Sequence, residues 1–283
     1  PEVKERDGNR YLYMRKRVGG KLTSTYVDVY SEDLHQLLLR NAAEARTLRK
    51  ELRKCEKELA AAGYSEDELS PRVLLNLDFA RANMKSMIYE QAVLEGVSTT
   101  FPQTEDIVDN GIVNGMSASD VQKILNLKHA WEFVLDKDVL RCPSDFSMLS
   151  HIAGLVNEGF FADGGRVRGV PVAIGGTSYV PPLPQESVIR ERLAEIINAE
   201  KPCIDTAIEL AISCMKWQVF LDGNKRAAII YANHYLISKG GGLLIVPEAD
   251  VQTFRKLLVG HYEGTCSNEL AAFMKEKCWR PLE

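Results

Sequence analysis

The 283-residue chain has no large excess of either charge, since 35 Lys+Arg stand against 39 Asp+Glu and give a net charge of −4. A general nucleic-acid or anionic-membrane binder carries a strong basic excess, so neither class is expected. The sequence also lacks an apolar run of the roughly 18–20 residues that a membrane span requires. Its first residues are too polar for a signal peptide. Together these features predict a cytoplasmic protein.

Motifs for metal or redox chemistry are scarce. The six cysteines include no C-x-x-C pair, and the five histidines include no His-x-x-x-His pair. This dispersion disfavours structural zinc and predicts reduced, mostly buried thiols. Hydrophobic residues make up 45% of the chain and charged residues 26%, which is typical of a globular protein with a sizeable core.

The first part of the chain differs in pattern from the rest. Residues 11–30 predict a β-hairpin with its turn at Gly19–Gly20. The helical pattern that follows ends near Gly63, so we expect one domain over 1–66 and a larger helical domain over 67–283. This first long helix carries a heptad seam: Leu34, Leu38, Asn41, Ala45, Leu48, Leu52, Cys55 and Leu59. Such a seam predicts packing against another long helix or a partner chain, including a second copy of this chain.

The larger domain is predicted to be mainly helical. A helix begins at Ser70–Pro71 and ends near Gly96, since Ser caps a helix and Pro suits its first position. Further helices are predicted at these ranges: 103–114, 117–135, 145–157, 185–199, 202–217, 225–239, 248–261 and 267–276. Between them, the Gly- and Pro-rich stretch 159–184 contains two short β-prone runs. These predict a hairpin inserted into the helical domain.

The most informative stretch is 217–229, where Asp-Gly-Asn-Lys-Arg joins two apolar helices. Gly223 lets backbone amides approach a ligand closely. A helix that starts near Asn224 offers free N–H groups and the positive end of its dipole. Lys225 and Arg226 add cationic donors. The combination predicts an anion site suited to phosphate.

Asp222 borders this site and could hold Mg²⁺, which usually takes only one or two protein carboxylates and completes its shell with phosphates and water. The alternative is an ordinary polar turn between helices, with Asp222 as the N-cap. Asp-Gly is a common turn dipeptide, so the residues alone leave both interpretations open.

The segment resembles the signature of the Fic/Doc (Fido) family, which runs His-x-Phe-x-(Asp/Glu)-Gly-Asn-(Gly/Lys)-Arg, often with a second Arg three residues later. Six residues match it: Phe220, Asp222, Gly223, Asn224, Lys225 and Arg226. The stretch 165–182 is similar to the family's β-hairpin flap, and the resemblance covers about 70–280. It implies a Fic-fold helical bundle that binds ATP. Most members transfer AMP to a protein hydroxyl, and Doc-like members transfer phosphate.

The resemblance also implies roles for individual residues. Asp222 would hold the metal, and Phe220 would anchor the loop in the core. Four consecutive residues would contact the nucleotide, two shaping the anion hole and two meeting phosphates: Gly223, Asn224, Lys225 and Arg226. Three flap residues would align the target segment: Gly176, Thr177 and Tyr179.

Two departures from the family pattern bear on activity. Gln218 stands where the family has its histidine base, and an amide cannot accept a proton near neutral pH. Ile229 stands where the second Arg would contact phosphate. Glu95–Gly96 resembles the end of the family's autoinhibitory helix, although Gln91 replaces its hydroxyl residue and Ile229 removes its ionic partner. Glu95 could still approach the cations of the motif loop.

No substitute base is evident. His234 lies eight positions beyond Arg226 and is expected to pack, His151 to be a core histidine, and Cys214 to be inert in apolar surroundings. The sequence therefore predicts an ATP- and Mg²⁺-binding protein with weak or lost AMP transfer. Two alternatives stay open: an active transferase with altered chemistry, and a non-enzymatic interaction protein that acts through its first long helix.

Overall fold

The computed structural model describes residues 1–6, 8–18, 21–61, 69–111 and 115–282, and these are mainly helical, as predicted. The chain divides into two compact units, Pro1–Tyr64 and Ser65–Glu283. The expected ends at Gly63 and residue 66 lie outside the described residues, so the exact domain boundary stays a prediction.

The first unit contains a three-stranded antiparallel sheet and one long helix. The strands are β1 (Glu2–Arg6), β2 (Asn9–Val18) and β3 (Lys21–Val29), in the order β1-β2-β3. The β2–β3 pairing confirms the predicted hairpin, whose Gly19–Gly20 turn lies outside the described residues. Strand β1 was not predicted, because its alternating charges give no apolar pattern. This strand is stabilised by its antiparallel backbone hydrogen bonds with β2.

Helix α1 (Glu32–Ala61) has the predicted length and contains no buried residue. Leu48 and Leu52 of the heptad seam are more than half exposed. Within the first unit, the seam is therefore not covered.

The second unit is a bundle of helices with a short two-stranded ribbon. Its helices are α2 (Pro71–Leu94), α3 (Phe101–Asn110), α4 (Ala118–Val134), α5 (Lys137–Arg141), α6 (Phe146–Val156), α7 (Glu186–Asn198), α8 (Cys203–Trp217), α9 (Asn224–Ser238), α10 (Val251–Tyr262) and α11 (Ser267–Phe273). Strands β4 (Leu243–Leu244) and β5 (Trp279–Arg280) pair antiparallel. The sequence missed α5, whose single turn is too short for a periodic pattern.

The starts of the helices follow their capping residues. Ser70 Oγ accepts the amide of Val73 at 3.3 Å with Pro71 at the first helical position, which confirms the predicted start of α2. Helix α9 packs against α2, α4, α6 and α8. It is buried almost along its whole length. Helix α9 therefore lies at the centre of the second unit.

The stretch predicted as a hairpin is different in the structure. The runs 167–174 and 177–180 lie on either side of a turn at Gly175–Gly176, but no strand pairing occurs anywhere in 159–185. The buried guanidinium of Arg168 donates to the carbonyls of Val170, Pro181 and Pro182. The Arg168 side chain thus donates to carbonyls that would otherwise accept hydrogen bonds from a neighbouring strand. The two prolines also have no amide hydrogen with which to pair with a strand. The expectation of a β-hairpin flap is corrected to a looped flap.

Among the described residues, no helix has both the length and the apolar composition needed to cross a bilayer.

Candidate functional site

The α8–α9 loop is held by two residues with left-handed backbone conformation. Helix α8 ends at Gln218, with φ 47° and ψ 57°, and Gln218 is the only non-glycine residue with positive φ in the described part of the chain. Gly223 has φ 72° and precedes α9, whose first turn receives no side-chain cap. A non-glycine residue in this region costs free energy and often marks a functional site.

Asn224 closes the loop through its side chain. Its Oδ1 accepts the Phe220 amide at 2.9 Å, and its Nδ2 donates to the Phe220 carbonyl at 2.8 Å. Phe220 itself is almost completely buried. The Gln218 amide is also held in place, because Nε2 donates to Met215 O at 2.6 Å while Oε1 accepts Asn224 Nδ2 at 3.2 Å. The loop is therefore rigid and anchored in the core.

Asn157, which follows α6, supports the same loop from below. Its Nδ2 donates to Asp222 O at 2.9 Å and to Gly164 O at 3.1 Å. A Cβ atom at Gly223 would lie 2.7 Å from Asn157 Oδ1, so the close approach and the positive φ both require glycine there. The sequence analysis did not single out Asn157. Its only signal was a polar residue directly after an apolar helix.

Arg226 lies beneath the loop and is 3% exposed. Its Nη1 donates to Val156 O at 2.8 Å, and its Nη2 lies 2.7 Å from Asp222 Oδ2. The guanidinium is thus engaged by the protein, and its Nε is buried without a hydrogen-bond partner. That Arg226 meets phosphate stays a prediction, and the contacts identify it as a support of the loop.

Glu95 reaches this loop from the end of α2. Its carboxylate lies 3.5 Å from Lys225 Nζ and 3.7 Å from Arg226 Nε, and its Oε1 is buried without a hydrogen bond. Glu95 thus faces both motif cations, although Ile229 stands at the position where the resemblance implies an arginine. Gln91, one turn earlier, donates to Arg226 O at 2.9 Å and accepts Trp131 Nε1 at 3.0 Å, which fixes the end of α2.

A cavity of about 390 Å³ opens above the loop. It is lined by the predicted site residues Glu95, Gln218, Asp222, Gly223, Asn224 and Lys225, and by Arg255 and Tyr262 of α10. Both α10 residues are distant from the motif along the chain, and neither was predicted. Arg255 Nη2 donates to Leu94 O at 2.7 Å, so the cation lies beside Glu95 and at the carbonyl end of α2.

Tyr262 brings a hydroxyl to the predicted base position. Burial, and secondarily the negative charge of Glu95, raise the pKa of Tyr262, while a hydrogen bond with the Gln218 side chain acts in the opposite direction. The hydroxyl therefore remains protonated at neutral pH. Tyr262 can donate a hydrogen bond into the cavity but cannot take the role of a base.

The flap crosses α10 and is fixed at two points. Arg168 Nε donates to Gln218 O at 2.6 Å, which ties the start of the flap to the end of α8. Thr177 Oγ1 donates to Glu263 Oε1 at 2.8 Å, and the Tyr179 ring stacks on Tyr262 with centroids 6.2 Å apart. Gly176, with φ +84°, makes the turn between these contacts. The three predicted flap residues thus lie together at the C-terminal end of α10, whereas the flap residues that line the cavity are Val172 to Gly175.

The other candidate bases are not in the cavity. His234 is completely buried, bonds to Ser144 Oγ at 2.8 Å, and has its pKa lowered by burial. Burial also raises the pKa of the Cys214 thiol, which keeps it unreactive. His151 is exposed and packs beside Phe133, so the prediction of a core histidine was wrong. It lies on the outer face of α6, because the apolar stripe of that helix leaves one side to solvent.

The donor set limits the metal chemistry. No group of three or more His, Cys, Asp or Glu side chains converges anywhere in the described ranges. Asp222 is more than half exposed and contributes one carboxylate, shared with Arg226. One carboxylate suits Mg²⁺ only when phosphate oxygens complete the coordination shell. The site therefore fits a metal carried by a polyphosphate and does not resemble a closed protein metal centre.

The uncapped N-terminus of α9, Gly223 and the Lys225 side chain thus lie together at one cavity of a mainly helical protein. Residues 145–236 match the model of the Fic/DOC family. The match spans α6 to α9, and thus includes the flap and the motif loop.

Solved structures of Fic proteins have a similar fold. Fic-1 of C. elegans (residues 134–508) is 18% identical, with a TM-score of 0.57 over 85% of this chain and 72% of that one. A Fic-domain signalling protein of Bacteroides thetaiotaomicron is 18% identical, with a TM-score of 0.59 over 78% of this chain and 90% of that one. A Fic family protein of Desulfovibrio desulfuricans is 17% identical, with a TM-score of 0.57 over 73% and 64%. The comparison with curated proteins gives no match.

Proposed function

We propose that the cavity above the α8–α9 loop binds ATP with Mg²⁺, and that AMP transfer to a protein hydroxyl is weak or lost. The observation that carries this proposal is the uncapped N-terminus of α9, a 15-residue helix that begins directly at the glycine cradle. Its first amides and its dipole favour an anion. The cavity volume of about 390 Å³ lies in the range usual for small-ligand sites.

Two cations reach the cavity and support phosphate binding. Lys225 is about one-third exposed and lines the wall next to Asp222. Arg255 enters from α10 and restores a guanidinium to a site in which Ile229 replaces the family's second arginine. We assign the phosphate contacts chiefly to Lys225, Arg255 and the backbone of Gly223 and Asn224.

Asp222 would hold Mg²⁺ together with the phosphates, and the metal would neutralise charge on the transferred group. Asp222 is exposed to the cavity on one side and paired with Arg226 on the other. The flap, with Gly176, Thr177 and Tyr179, would align the target segment.

Gln218 is the reason to expect little turnover. Its amide occupies the base position and is hydrogen bonded on both sides, to Met215 and Asn224. It can orient a hydroxyl but cannot take its proton. Without general base catalysis the rate falls by about 10²–10⁴-fold. Positioning and charge stabilisation still act on phosphoryl transfer, so residual activity is expected.

Calorimetry of the full chain tests the proposal directly. ATP with Mg²⁺ should bind, and Lys225→Gln should weaken binding by about 10- to 150-fold, because one charge-assisted contact is worth about 1.5–3 kcal/mol. Lys256→Gln on α10 is the matched control and should bind normally. If neither ATP nor ADP binds at concentrations of about 1 mM, the nucleotide proposal is wrong.

Glu95 is expected to restrain ATP binding. Its carboxylate places a negative charge in the cavity and occupies Lys225. Glu95→Gln should therefore raise ATP affinity by about tenfold, or about 1.4 kcal/mol, as measured by the same calorimetry. Glu158→Gln, at an exposed position outside the cavity, should leave the affinity unchanged. Unchanged or weaker binding by Glu95→Gln would exclude an autoinhibitory role.

The exposed seam of α1 favours a second, non-enzymatic function. Leu48, Leu52 and Leu59 remain uncovered on a helix without any buried residue. We propose that this seam mediates association with a second copy or a partner protein.

Light scattering tests self-association of α1. The full chain should have the mass of a dimer, and Leu48→Lys with Leu52→Lys should reduce it to the monomer mass. Leu37→Lys with Leu39→Lys is a matched control, because both leucines are exposed on α1 outside the seam. A monomer mass for the unmodified chain would remove the dimer from consideration.

A further inference from the structure

The net charge of −4 hides two oppositely charged units. The first 64 residues contain 14 Lys+Arg and 10 Asp+Glu, a net charge of +4, while the remainder contains 21 and 29, a net charge of −8. Such asymmetry within one chain often accompanies an anionic partner for the basic part. The exclusion of nucleic acid, drawn from the whole chain, therefore does not extend to the first unit.

Strand register places three tyrosines on one face of the first unit's sheet. Tyr13 pairs with Tyr26, and Tyr11 pairs with Lys4 on the neighbouring strand, so these four residues share a face. The Tyr26 ring contacts both other rings, with centroids 5.7 Å from Tyr13 and 6.2 Å from Tyr11. Tyr26 is nevertheless 51% exposed. We call these rings, with Lys4 and Arg15, the tyrosine face.

The opposite side of the sheet behaves differently. Leu12 alternates with Tyr11 and Tyr13 along β2, and its side chain is fully buried. The tyrosine rings thus lie on the side of the sheet opposite the buried Leu12 side chain. Exposed aromatic surface is unfavourable in water and commonly marks a site of interaction.

Cations flank the rings. Lys4 Nζ lies 4.6 Å from the centroid of the Tyr13 ring, and Arg15 projects from the same face with a side chain that is 55% exposed. Glu2 is the acid beside them and forms ion pairs with both cations. Proteins that bind single-stranded nucleic acid combine cations, which contact the phosphates, with exposed aromatic rings, on which the bases stack. Both elements are present on this sheet.

We infer that the tyrosine face binds single-stranded nucleic acid. Bases stack on Tyr26 and its neighbouring rings, and the phosphates contact Lys4 and Arg15. An acidic peptide could pair with the cations but has no bases to stack on the tyrosine rings. A duplex has phosphates, but its bases are stacked on one another inside the helix and cannot reach the rings. The charge and the aromatic surface together therefore favour a single strand.

Fluorescence anisotropy with the full chain tests this inference, using a labelled oligo-dT strand, the oligo-U equivalent and a duplex of equal length. Tyr26→Ala should weaken single-strand binding by about 5- to 150-fold, the range expected for one stacked base. Tyr26→Phe keeps the ring and should bind like the unmodified chain. Val3→Ala, on the opposite face and also exposed, is the matched control and should have no effect.

A double variant tests the contribution of the cations to binding, measured as the salt dependence of the affinity. Lys4→Gln with Arg15→Gln should reduce the slope of log K against log salt by about 1.4, since each phosphate contact to a single strand contributes about 0.7. Lys50→Gln with Arg53→Gln on α1 should leave the slope unchanged.

Several results would overturn the inference. They are tighter binding of the duplex, equal binding of a poly-glutamate peptide, equal losses for Tyr26→Phe and Tyr26→Ala, or no single-strand binding at concentrations on the order of 10⁻⁴ M. None of these measurements involves ATP, so the outcome is independent of the proposed nucleotide site.

Discussion

Replacing Gln218 with histidine is expected to raise AMP transfer by about 10²–10⁴-fold, the contribution usual for general base catalysis. The imidazole would accept the proton of the attacking hydroxyl, which the amide cannot do. The backbone at this position has φ 47°, and histidine is among the residues that tolerate the left-handed region. The substitution should therefore restore the chemistry without disturbing the loop.

The measurement is transfer of label to protein from ATP labelled separately at the α and γ phosphates. Gln218→His should incorporate the α label, which reports AMP transfer. Gln218→Asn is the matched control, because asparagine also tolerates the left-handed region but provides no base. If Gln218→His binds ATP yet transfers no label, the missing base is not what limits this protein. Incorporation of the γ label by the unmodified chain would instead favour altered phosphoryl-transfer chemistry.

The site was partly predictable because five of its residues are neighbours in the sequence. Asp222 to Arg226 are consecutive, so any fold that starts a helix near Asn224 brings them to one loop. Which of the two cations faces the cavity was not predictable, because successive helical residues point about 100° apart and neighbouring helices decide the rotation. The structure directs Lys225 toward the cavity and Arg226 toward Val156.

Other features of the site depend on contacts between distant segments. Asn157, Arg255 and Tyr262 approach the loop only through tertiary packing, and none carries a local sequence signal. The flap shows the same limit. Its β-prone runs predicted a hairpin, but the contacts of Arg168 with flap carbonyls replace strand pairing. Local propensity describes such a segment poorly because one long-range side chain determines its conformation.

Arg226→Gln is expected to destabilise the second unit by about 3–5 kcal/mol, the usual cost of breaking a buried charge network. The substitution removes the 2.8 Å hydrogen bond to Val156 O, which then keeps only the longer bond from Asn126 Nδ2 at 3.3 Å, and it removes the closest cation to Asp222. It also removes one of the two ion pairs of the Glu95 carboxylate, whose side chain is 14% exposed, and leaves the pair with Lys225. The loss is therefore larger than that of an ordinary surface ion pair, which is worth about 0–1 kcal/mol.

Thermal unfolding followed by circular dichroism should show a melting temperature lower by roughly 10 °C for Arg226→Gln. Lys225→Gln is the matched control, since its side chain is about one-third exposed and its removal should change stability by less than about 1 kcal/mol. The two variants should therefore change different quantities: Arg226→Gln lowers the stability, and Lys225→Gln lowers the ATP affinity. An Arg226→Gln variant with unchanged stability but lost ATP binding would instead assign Arg226 to the phosphates, as the family resemblance implies. That reversal would require the guanidinium to leave Val156 and turn into the cavity when nucleotide binds.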